Sequence, residues 1–95
     1  MLLTYEMLRA KKACAEQADK FRDLFPDGVV LTEALCVSHA SDFDFGWAAE
    51  NLLSARARKA YEKARASAPA LEAREAYRKA IAAAFFAAWQ ADHVS

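Results

Sequence analysis

With 95 residues the chain fits one domain with one modest hydrophobic core, expected to span residues 1–95. Two Gly and two Pro among many Ala, Lys, Arg and Glu favour helix and exclude a sandwich or barrel; the same shortage of glycine excludes a phosphate-cradling loop. Thirteen basic and thirteen acidic residues cancel, so bulk charge selects neither nucleic acid nor a membrane surface.

The balance hides an asymmetry. Residues 1–50 carry five Lys/Arg against nine Asp/Glu, and residues 51–95 carry eight against four. One reading is that the two halves attract each other as they fold; the sharper one is a basic helical face offered to an acidic partner. The N-terminal stretch MLLTYEMLRAKK is interrupted by Glu6 and too short in its apolar part for a signal peptide. No run approaches the roughly 18 apolar residues of a membrane span. Cys14 and Cys36 form no CxxC pair. A cytoplasmic protein is expected, with both thiols reduced and in small, buried apolar roles.

In chain order, Thr4 is placed to cap a short first helix carrying Tyr5 and Leu8. Cys14, Ala18, Phe21 and Phe25 then fall at i, i+4, i+7 and i+11, one helical stripe. On its polar side Glu16 with Lys20, and Asp19 with Arg22, stand at pairing distance. Phe25-Pro26-Asp27-Gly28 has the pattern of a type I turn that ends this helix. Val29, Val30 and Leu31 favour extended backbone, but a lone strand would lack a partner, so a connector pinned to the core is expected. Thr32 caps a helix from Glu33 to about His39, with Leu35 and Cys36 facing inward.

Asp42 to Leu53 (DFDFGWAAENLL) concentrates Phe43, Phe45 and Trp47 and reads as the hub on which the other helices pack. Asp44 caps its helix, with Asp42 as the alternative register. Ser54 either caps the next helix or sits at a bend. From there to about Asp92 the chain is alanine-rich and helical, interrupted at Pro69. Two helices or one kinked helix fit that proline. Arg58–Ala68 repeats at Arg74–Ala84 with seven of eleven positions identical, which favours two helices. Tyr77, Ile81, Phe85 and Trp89 form an apolar ridge at i+4 steps; Phe86, about 100° round, either widens the buried face or lies in a contact surface. The expected fold is therefore all-α, a small bundle of short N-terminal helices packed on two longer alanine-rich C-terminal helices.

The succession Ala13, Cys14, Glu16, Gln17, then Phe21 and Phe25, then LTEAL, then DFDFGWAAENLLSA with trailing Ala-Tyr repeats resembles a group of small proteins encoded in phages and prophages. There a D-F-D-W-x-W-A-A-x-N-L-L-like block precedes repeats of the P-A-x-x-x-Y kind. The resemblance covers residues 4–84 and is most specific over Asp42–Ala55. It departs at Phe45, where the pattern has tryptophan, and the chain keeps a single Pro-Ala copy, Pro69-Ala70. It assigns no catalytic or binding residue. By analogy of size and source, it implies an inhibitor of host defence, anti-CRISPR proteins among them.

Chemical motifs are sparse. Cys36 and His39 near Asp42 and Asp44 make at most a partial metal set, and a structural zinc needs four ligands. Ser38, His39 and Asp42 are sequence neighbours and do not make triad geometry, which needs groups from separate elements. No cofactor, metal or catalytic residue is expected, and the chain reads as a non-enzyme. Arg56, Lys59 and Lys63 share one face of a basic helix around Tyr61, a ring that could stack on a base. The expected partner-binding residues are Arg56, Lys59, Lys63, Phe86 and Trp89. The function they imply is steric inhibition of a host protein complex. The alternatives are a helical homodimer through the C-terminal helix and a nucleic-acid-binding module.

Overall fold

A computed structural model describes residues 2–66 and 74–93. Six helices and two two-residue strands account for its regular structure. The all-α expectation holds. The backbone contacts divide the chain into two units, residues 1–31 and residues 32–95. The expected break or kink at Pro69, and the single Pro-Ala copy there, lie outside the described residues.

The first unit contains β1 (Leu2–Leu3), α1 (Tyr5–Ala10), α2 (Ala15–Leu24) and β2 (Val29–Val30). Thr4 caps α1 as expected, its hydroxyl accepting from the Met7 amide at 3.2 Å. Helix α1 packs against α2, with Leu8, Ala13, Ala18 and Phe21 buried. Phe25 adds a ring 5.3 Å from Phe21. Arg22 spans the pair, its guanidinium 4.7 Å from the Tyr5 ring centroid and 3.3 Å from Asp19.

Two expectations fail here. Cys14 is exposed, because α2 begins one residue later and leaves Cys14 in extended backbone, φ −64° and ψ 146°, outside the stripe. Ala13 takes the buried place instead. Val29 and Val30 are not a connector pinned to the core. They pair antiparallel with β1, Leu2 opposite Val30 and Leu3 opposite Val29, and Val30 is 61% exposed. The missing strand partner was the N-terminus itself. Gly28 makes the pairing possible. Its amide closes the turn onto the Phe25 carbonyl at 2.9 Å. Its φ is +84°, and a Cβ there would sit 2.9 Å from the Leu3 carbonyl.

The second unit contains α3 (Glu33–Ser38), α4 (Phe45–Leu52), α5 (Ala55–Ala66) and α6 (Arg74–His93). Thr32 and Asp44 cap α3 and α4, accepting from the amides of Leu35 at 3.1 Å and Trp47 at 3.0 Å. The Asp44 register is therefore the one used. Helix α6 packs on α3, α4 and α5, and α4 also touches α5. The hub is α6 rather than the aromatic block. Phe43, Phe45 and Trp47 are only half-buried, whereas Ala49 and Ala82 are fully buried. Alanine lets helix backbones approach closely, so the axis of the packing runs where the small residues are. Phe85, 2% exposed, anchors this core. Phe45 lies 5.6 Å from it and Trp89 6.0 Å, and Trp89 in turn lies 4.1 Å from His93. Rings at such separations attract beyond their buried area.

Candidate interaction face on the fifth helix

Helix α5 begins at Ser54. The Ser54 hydroxyl accepts from the Ala57 amide at 3.2 Å and its carbonyl accepts from the Arg58 amide at 2.8 Å, so it caps rather than bends. Ala57 and Tyr61, one turn apart, are buried. Arg56, Lys59 and Lys63 project from the other side and are exposed. The structure therefore keeps the three expected cations together on one outward face. Glu62 is the helix's one acidic residue, against five Lys/Arg between Ala55 and Ala66.

The aromatic members of the expected site behave differently. Trp89 is 4% exposed and belongs to the core, held between Phe85 and His93. This corrects its place among the surface residues: the apolar ridge of α6 turns inward, because three other helices pack on α6. Phe86, the next face round, is half-buried. Tyr61, expected as a stacking ring, is 3% exposed and also belongs to the core. Its hydroxyl has no hydrogen-bond partner among the described residues. Burial raises its pKa above 10, while the Arg65 guanidinium one turn on works against the rise.

The charge asymmetry can be placed more narrowly along the chain. Residues 1–31 carry five acids and five bases, and residues 32–95 carry eight of each. The acidic excess lies wholly in residues 32–50, which hold four acids and no Lys or Arg. Both the acidic stretch and the basic α5 therefore belong to the second unit. Arg58 donates to the Glu50 carbonyl at 3.2 Å, in the last turn of α4, where carbonyls lack helical partners and favour a cation.

The contact that sequence reading missed joins α5 to α6. Asp92 accepts from the Ser54 amide at 2.9 Å and from the Ser54 hydroxyl at 2.7 Å. These two bonds hold its carboxyl below the usual 3.8. The start of α5 meets the end of α6, so the two helices run antiparallel. Ser54 was legible as a cap; nothing in the sequence signals that a residue 38 positions on completes it.

The other candidate chemistry is absorbed locally. Ser38 donates to the carbonyls of Ala34 and Leu35, while His39 pairs with Asp42 at 2.9 Å and sets its ring edge against Phe43. Cys36 is buried, and burial with Glu33 nearby pushes its thiol up to about 11. Among the described residues no group of three or more His, Cys, Asp or Glu is arranged to hold a metal ion. None of their helices is long and apolar enough to cross a membrane. No family model, no curated protein and no solved structure matches this chain.

Proposed function

We propose that the chain is a non-enzymatic protein-binding module that works by occupying a surface of its partner. The observation that supports this reading is the outward face of Arg56, Lys59 and Lys63 on a helix whose opposite face is packed. Three cations at i, i+3 and i+7 on a held helix suit an acidic protein surface. A nucleic-acid role has less to stand on, since Tyr61 is in the core and the chain carries no net positive charge. A dimer through the C-terminal helix loses its main anchor with Trp89 buried.

The partner class comes from the resemblance at Asp42–Ala55. It is a host defence complex in the bacterial cytoplasm, of the kind that anti-CRISPR proteins block. The test is a pull-down of the tagged chain from a bacterium with active defence systems, nuclease-treated and read by mass spectrometry. Stoichiometric recovery of one defence subunit, lost in an Arg56→Glu/Lys59→Glu/Lys63→Glu variant that keeps its helical circular dichroism, supports the proposal. Recovery unchanged in that variant removes the face from the function. Loss of the catch with nuclease alone points to nucleic acid.

A further inference from the structure

The basic face of α5 starts at the wrong end of its helix. The N-terminus of a helix carries partial positive charge and favours anions. The first turn of α5 nevertheless has no acidic residue and holds Arg56, with Arg58 directly after it. On their own these cations favour fraying of the turn that presents them. Neither Glu50 nor Glu62 supplies the missing charge at the cap: Glu50 meets Arg58 through its backbone carbonyl, and Glu62 stands two turns along the helix. Asp92 does supply it, from α6. Its carboxylate takes the Ser54 amide and hydroxyl at 2.9 and 2.7 Å, at the residue from which the first turn hangs.

We infer that Asp92 is a positioning residue for the basic face of α5, an anion lent by α6 that keeps Arg56 and Lys59 in helical register for a partner. The inference rests on the proposed role of that face. Without the Ser54–Asp92 contact, part of the population has a frayed first turn, and apparent affinity falls by the fraction that remains competent.

The test compares the full chain with Asp92→Ala, Asp92→Asn and Asp92→Glu. Two readouts are used: amide hydrogen exchange, and binding of a polyglutamate peptide at low ionic strength. Asp92→Ala is expected to lower protection at Ala57 and Arg58 while Phe85 stays protected, and to weaken peptide binding about twofold, the scale of losing one exposed anion at a helix N-terminus. Asp92→Glu restores most of both, and Asp92→Asn falls between. The sign is diagnostic. Removing a carboxylate strengthens binding of an acidic peptide if only long-range charge matters, so unchanged or tighter binding by Asp92→Ala overturns the inference. So does unchanged exchange at Ala57 and Arg58. If Asp92→Ala does not fold, Asp92→Asn carries the same decision. A triple Arg56/Lys59/Lys63→Glu variant that binds the peptide like the parent chain sinks the reading of the face instead; the exchange result is independent of it.

Discussion

The Ala13 amide reaches back to the Leu8 carbonyl at 3.0 Å, and the Lys12 amide to the Arg9 carbonyl at 3.0 Å. This pair of bonds is a Schellman closure of α1, which requires a left-handed residue between them. Lys12 fills that position at φ 64°. A residue with a Cβ is strained there by about 1 kcal/mol, and glycine is not. Lys12→Gly is therefore expected to stabilise the protein by about 1 kcal/mol in urea unfolding, and Lys12→Val to destabilise it by at least as much.

The core of the second unit is centred on Phe85 rather than on the block that is richest in rings. Phe85→Ala is expected to cost about 3–5 kcal/mol, the range for removing a buried aromatic. Phe43→Ala, at a half-buried site, should cost less than half as much. Equal shifts in the denaturant midpoint would return the central role to the aromatic block.

The two cysteines should separate cleanly. Cys14 is exposed and Cys36 buried, so a thiol reagent at pH 8 modifies one equivalent in the native protein and a second only on unfolding. The Cys36 thiol is raised from 9.0 to about 11 in the folded state. A raised folded value means the contribution is complete below pH 9, where both states are protonated. It is lost as pH climbs from 9 towards 11, where the unfolded chain ionises first. Cys36→Ala should flatten that alkaline decline.

Asp92 titrates in the opposite sense. Its carboxyl is lowered by the Ser54 bonds, so its contribution is present above the ordinary 3.8 and disappears as pH falls through the lowered value. The side chain is solvent-exposed, so the effect is modest and screened by salt. Acid unfolding of Asp92→Asn should show a shallower dependence below pH 4 than the parent chain. Identical acid limbs would mean that the Ser54 contact does not persist in solution.

Local chemistry is what the sequence determined. Thr4, Thr32 and Asp44 cap the helices they were expected to cap. Phe25–Gly28 makes its turn, and Arg56, Lys59 and Lys63 come out on one exposed face. Each depends on groups within a turn or two of one another, where side-chain type and spacing are sufficient. Tertiary structure decided the rest. Val29 and Val30 found their strand partner at Leu2 and Leu3, and Ser54 its anion at Asp92. Trp89, Tyr61 and Phe85 went to the core while Phe43, Phe45 and Trp47 stayed at its edge. Periodicity gives the face of a helix but not what the face meets. That choice fell to the packing of α3, α4 and α5 on α6, with the small Ala49 and Ala82 fully buried and Phe85 and Trp89 filling the core beside them.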